Sequence, residues 1–152
     1  RWRNANPNSE PKVEDLRGLL DNNLFGVDRN REALRVASFS LCLALCDMID
    51  PRQYWKRTLF PPLRDKRLIE SDFFSDNPEG IRTEADAGKW DLVIGNAPWS
   101  DGELTEESEG MRWAKDNRWP VMDYNPGPLF LAKAIQLTSK ERRLARLSEK
   151  TK

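Results

Sequence analysis

Asn96-Ala97-Pro98-Trp99 sets an amide oxygen, backbone carbonyls and an indole side by side. These residues follow directly on Asp91-Leu92-Val93-Ile94, a short apolar run with two β-branched residues, bounded by Trp90 and Gly95. The run reads as a buried strand of a parallel sheet covered on both faces. Gly95 permits a tight approach and Pro98 ends the strand. In open α/β sheets ligands bind at the carboxyl ends of strands, so a rigid element is expected to deliver acceptors and a stacking surface to that edge. Two acids have comparable placements. Asp28 ends the run Leu24-Phe25-Gly26-Val27-Asp28, and Asp72 lies near the end of the run from Arg67 to Phe74, followed by Phe73 and Phe74. An acid at such a strand end is placed to accept both hydroxyls of a ribose. Plainer readings stand beside these: Asp28 capping the next helix with Asn30, Phe73 and Phe74 as core, and Trp99 buried in a strand-ending turn.

Composition narrows the chemistry. The chain has 152 residues, enough for one domain with a real core. It holds 25 basic and 25 acidic residues, so it lacks the bulk positive charge of a self-sufficient nucleic-acid-binding domain. Any positive surface must be local or come from another domain. Histidine is absent, which excludes His-based triads, His general bases and His-ligated zinc within these residues; no metal site is expected. Cys42 and Cys46, four apart in one apolar helical stretch, read as buried reduced thiols. With no apolar run of membrane-spanning length and no signal-peptide pattern, a cytoplasmic protein with no membrane partner is expected.

The elements that must position these residues alternate. Residues 1–11 read as a loose polar segment. Val13, Leu16, Leu19 and Leu20 have helical spacing, and Asp21-Asn22-Asn23 is the stop signal. After the strand ending at Asp28, Asn30 is a good N-cap for a helix from Arg31 to about Ile49. That helix is apolar almost all round and should lie deep against a sheet. Pro51 ends it. A Pro- and Arg-containing connection over 52–66 leads to the strand ending near Asp72, and a polar loop over 76–88 leads to the strand at Asp91. Strand, helix, strand, loop, strand is the rhythm of a doubly wound sheet. The fold class is therefore α/β, a partial doubly wound Rossmann-like sheet with flanking helices. One domain is expected, with a βαβ core over 12–99, a loop region over 100–127, and a helix with a basic, Leu-spaced tail over 128–152. In the loop region, Arg112-Trp113-Ala-Lys115-Asp-Asn-Arg118-Trp119 interleaves bases with aromatics, as a solvated face or a DNA-backbone contact would.

Asn96-Ala97-Pro98-Trp99 resembles the Asn-Pro-Pro-Tyr/Trp motif of S-adenosylmethionine-dependent amino-methyltransferases, above all the adenine-N6 DNA methyltransferases of restriction-modification and related phage-defence systems. The resemblance runs from about residue 16 to 137. It implies that Asp28 binds the ribose of S-adenosylmethionine, that Asp72 accepts from the cofactor's adenine amino group, and that Phe73 packs on the adenine ring. It further implies that the Asn96 side-chain oxygen and the Ala97 carbonyl accept the two hydrogens of the target amino group. Such acceptors draw the nitrogen towards tetrahedral geometry and stabilise the positive charge developing there. Trp99 would stack on a base swung out of double-stranded DNA. Leu129 and Phe130 would line the pockets or serve as core. Ala97 departs from the commoner first proline; the carbonyl survives, and Pro98 biases Ala97 towards extended angles.

The family's glycine-rich cofactor loop has no counterpart here, since no Gly-x-Gly occurs. The family's first strand lies between the strands ending at Asp28 and Asn96, so two sheet edges would be unpaired. These residues are accordingly expected to be a fragment, inactive and binding cofactor weakly or not at all by themselves. They are expected to associate with the remaining part of the methyltransferase or with a second copy. Competing readings are a methyltransferase of protein glutamine or of an RNA base, and a non-catalytic remnant acting as an assembly module.

Overall fold

The computed structural model describes residues 12–52, 60–76, 79–81 and 86–139. The loose leading segment over 1–11, the basic tail over 140–152 and parts of the 52–66 and 76–88 connections lie outside the described residues. The chain divides into two compact units, Arg1–Glu70 and Ser71–Lys152.

The first unit is a β-α-β crossover preceded by a helix. Helix α1, Val13–Asn23, carries Glu14 and Asp15 in its first turn, where negative charge suits the N-terminal end of the helix dipole. It buries Leu16 against Leu45 and Ile49. Strand β1, Gly26–Asp28, is shorter than the apolar run that predicts it. Asn30 then caps helix α2, Arg31–Cys46, its side chain accepting from the Glu32 and Ala33 backbone N–H groups. Strand β2, Leu68–Glu70, pairs with β1 in parallel, with Gly26 opposite Leu68, Val27 opposite Ile69 and Asp28 opposite Glu70. The approach at Gly26 is close: a Cβ there would stand 3.0 Å from Leu68 Cδ2, which would have to give way by a few tenths of an ångström. Leu34 of α2 packs with Leu63 and Leu68 beneath this pair.

Two expectations for this unit are corrected. Helix α2 stops at Cys46, and it does not lie deep: Leu34 and Leu45 are buried, whereas Val36 and Phe39 are 65% and 63% exposed. Two strands spaced about 4.8 Å apart cover one stripe of a helix about 10 Å across, so the remaining apolar faces stay open. The predicted strand over 67–74 ends at Glu70, and Asp72 and Phe73 sit beyond it in a turn.

The second unit packs two helices on an aromatic cluster. Helix α3, Glu109–Asp116, is capped by the Ser108 hydroxyl, which accepts from Met111 N–H. Helix α4 spans Gly127–Leu137, with Pro128 in its first turn. Phe74, Leu104, Trp113, Ala114, Leu129 and Ala132 form the core, with Phe73 and Phe130 against it. Helix α3 falls where no strong periodicity was read. Its Trp113 is buried, and Arg112 pairs with Glu109 on the solvent side, so the interleaved bases and aromatics do not form one face.

The expected buried strand over residues 91–94 is the main correction. No strand forms there: Trp90 makes a single parallel bridge to Thr138, and the extended pairing stops. Leu92 is 55% and Ile94 84% exposed. A strand is defined by its ladder, and the ladder contact on this stretch is the bridge at Trp90. Gly95 makes no close approach either, as a Cβ built on it meets nothing within 4 Å.

Candidate functional site

Within the first unit, Asp28 is exposed at the carboxyl end of β1. Its Oδ1 accepts from Asn30 N–H at 2.7 Å, so the acid turns the chain from strand into helix. The capping role and an outward-facing carboxylate therefore coexist. Neighbouring Glu70 pairs loosely with Arg31 at 3.8 Å.

The second unit repeats the device. Asp72 Oδ1 accepts from Phe74 N–H at 2.8 Å, and the Asp72 carbonyl accepts from Ser75 N–H and from the Ser71 hydroxyl. Asp72 is half-buried in this tight turn. Phe73 stacks on Phe130 with ring centroids 4.9 Å apart and planes 6° from parallel. Phe74 meets Phe130 edge-on at 4.8 Å and Trp113 at 5.5 Å. Phe74 and Leu129 are core, while Phe73 and Phe130 are half-buried.

Residues 96–99 present themselves differently. Asn96 is exposed, Ala97 and Pro98 are half-buried, and Trp99 is 65% exposed. Trp99 is not a core residue, yet it is seated. Its ring lies across the first turn of α4, where a Cβ on Gly127 would stand 2.6 Å from Trp99 Cε3. Only glycine leaves that room. Asn125 organises the approach to this turn, its side-chain oxygen accepting from Gly127 N–H and its amide donating to Asp101 Oδ1, each at 2.9 Å. Backbone bonds from Gly102 N–H to Asp123 O and from Leu104 N–H to Tyr124 O close the loop that follows Trp99. Asp123 and Tyr124 both adopt positive φ, of 52° and 50°, to make that closure.

The structure thus brings Asp72 and Phe73 together with Phe130, and Trp99 together with Gly127, each within the second unit. Sequence reasoning missed Gly127 and Asn125, although Asn125-Pro126-Gly127-Pro128 is a dense run of turn formers that signals a constrained helix start. It also missed Lys133. This residue is 0% exposed, and its Nζ donates to the Phe73 carbonyl at 2.6 Å and the Ile81 carbonyl at 3.0 Å. Burial pushes its pKa down to about 8, against the attraction of Asp76, Asp72 and Asp86. Its signal was a lone lysine inside Leu-Phe-Leu-Ala-Lys-Ala-Ile.

Cys42 and Cys46 are half-buried rather than buried and carry no disulfide, and burial followed by the proximity of Cys46 raises the Cys42 pKa. No cluster of His, Cys, Asp and Glu suited to a metal ion occurs among the described residues, and none of their helices is long and apolar enough to cross a membrane.

Comparison with known proteins gives one assignment. No curated protein and no solved structure matches the chain. The family model of the Eco57I restriction-modification methylase matches residues 22–147, which takes in both strands, helices α2 to α4, both strand-end acids and residues 96–99. The chain belongs to the Eco57I restriction-modification methylase family.

Proposed function

We propose that the chain carries the methyl-transfer site of an adenine-N6 DNA methyltransferase that uses S-adenosylmethionine and works in restriction-modification or phage defence in the cytoplasm. The observation that carries this reading is the presentation of residues 96–99: an exposed amide beside an exposed indole, the indole seated on Gly127. The cofactor, when bound, supplies an activated methyl group on a sulfonium sulfur. The residues present fit it. Asp28 and Asp72 carry carboxylates that open tight turns, and Phe73 offers a half-buried aromatic surface packed on Phe130. Asp28 would hold the ribose, and Asp72 with Phe73 the adenine.

The rest of the work falls to residues 96–99. The Asn96 oxygen and the Ala97 carbonyl accept the two hydrogens of the adenine amino group. They would free its lone pair for in-line attack on the methyl carbon as the bond to sulfur breaks and leaves a neutral thioether, and would stabilise the charge that develops on nitrogen until the surplus proton passes to water. No histidine is needed as a base for this. Trp99 stacks on the flipped base, a contact worth roughly 1–3 kcal/mol. Double-stranded DNA is the substrate, and the remaining part of the methyltransferase or a second copy completes the sheet.

The test is methyl transfer by the native-length protein from labelled cofactor to separate DNA, RNA and protein substrates. Label in DNA, lost by about 10²–10³-fold in Asn96→Ala with unchanged thermal stability, supports the reading. Label in protein or RNA with unlabelled DNA overturns it in favour of the glutamine or RNA-base enzyme.

A further inference from the structure

Lysine is among the residues least often fully buried, and one buried without a water shell must be held for a reason. Lys133 lies on α4, one turn beyond Phe130, and has no exposed surface. It bonds two backbone carbonyls remote in sequence, Phe73 and Ile81. Its Nζ also stands 5.3 Å from the Phe73 ring centroid and 5.9 Å from that of Phe74, within cation–π range. One side chain thus grips the backbone and ring of Phe73 while the preceding turn of the same helix supplies the ring, Phe130, that stacks on it.

From this we infer that Lys133 is a positioning residue, which locks the Asp72–Phe73 turn in the shape that receives the cofactor's adenine. This rests on the reading that Asp72 and Phe73 hold that adenine. Lys133 itself is sealed from solvent and touches neither cofactor nor base; it acts through the Phe73 carbonyl. A neutral amine would keep two N–H groups for the two carbonyls. It would lose the charge that draws it to both rings and to Asp72, Asp76 and Asp86, the last also paired with Lys89 at 2.9 Å. Burial away from water costs the charged form more than these attractions return, which lowers the pKa to about 8, so the grip tightens as the amine loses its proton above that value.

The experiment measures S-adenosylmethionine binding by calorimetry, and KM and kcat for methyl transfer, in the native-length protein and its Lys133→Met variant from pH 7 to 9.5. Methionine keeps an unbranched side chain of similar volume without charge or donor. At pH 7 the variant is expected to bind cofactor about tenfold more weakly, the loss of one charged hydrogen bond. Its KM should rise in step, with kcat at saturation within about twofold of wild type, as removal of uniform binding predicts. Wild-type affinity should rise between pH 7 and 9.5, and the variant's should stay flat. A variant that folds and binds like wild type overturns the inference while leaving the proposed function intact. Wild-type affinity that stays flat over this range overturns it too, a readout that holds even where Lys133→Met fails to fold. A wild-type protein that binds no cofactor at all removes the proposed function, and this inference with it.

Discussion

Residues 26–28 and residues 91–94 are alike as sequence and unlike as structure. Both are short and carry β-branched residues (Val27 in the first, Val93 and Ile94 in the second), and a polar side chain suited to a ligand stands at or just beyond the end of each. The first becomes β1 because Leu68–Glu70 lies alongside and satisfies its backbone in register. The second has the apolar character but only the bridge at Trp90, and its Leu92 and Ile94 face solvent. Strand propensity describes fitness for a pleated, half-buried surface, so it is realised only where that surface exists. The two functional ends are consequently held by different means. Asp28 is aimed by sheet pairing, whereas Trp99 is aimed by a glycine at a helix start and a loop tied by Asn125.

The comparison breaks most sharply at Leu68. Its side chain packs beneath β1 and β2 with Leu34 and Leu63, so Leu68→Ala is expected to cost about 2–5 kcal/mol in urea unfolding. It should release the strand that carries Asp28. A cost under 1 kcal/mol would mean that β1 is held by something other than this pairing.

The matching device in the second unit is Gly127. An added methyl at 2.6 Å must displace the Trp99 ring, so Gly127→Ala is expected to cost about 1–3 kcal/mol by overpacking and to shift the Trp99 fluorescence. Gly127 is the first residue of α4, where alanine gains less than the roughly 1 kcal/mol it gains in a helix interior, so a stabilised variant with an unmoved tryptophan would show that the ring is not seated there.

Lys133 gives a pH-dependent effect. Its folded pKa lies below the ordinary 10.5, so between about 8 and 10.5 the unfolded chain binds more protons than the folded one. This group's contribution to stability therefore rises with pH across that window, by at most about 1.4 kcal/mol per pH unit. It is lost again as pH falls to 8. Wild-type minus Lys133→Met unfolding free energies, measured from pH 7.5 to 10, should show that slope; a constant difference would place Lys133 in a solvated setting.

What the sequence made legible follows from the range of the interactions involved. The cap at Asn30, the helices starting near Val13, Arg31 and Pro128, and the strand ending at Asp28 are specified by nearby residues, so local pattern found them; the first helix continues through the expected stop at 21–23 and the second ends at Cys46 instead of near Ile49. The acids Asp28 and Asp72 and the Asn96 to Trp99 run stand out by residue type. Helix α3 was missed because it buries only Gly110, Trp113 and Ala114, with Met111 partly buried, in eight residues that include four charges, too thin a stripe to read as periodic. The seat under Trp99 and the grip of Lys133 on Phe73 join residues 28 and 60 positions apart. No window along the chain contains both partners of either contact.

The smallest expected effect is the most informative about residues 91–94. With Ile94 84% exposed, Ile94→Ala removes little buried surface and should change unfolding free energy by less than about 0.5 kcal/mol in a protein of these 152 residues. The same substitution in the native-length protein asks whether a partner strand covers the run. A cost of about 2–5 kcal/mol there, with weaker cofactor binding, would show Ile94 buried and the tip before Asn96 braced by a ladder as Asp28 is. An equally small cost in both would mean that the tip works without a ladder. Residues 96–99 would then depend on Gly127 and Asn125 alone, and Gly127→Ala would become the decisive substitution for methyl transfer.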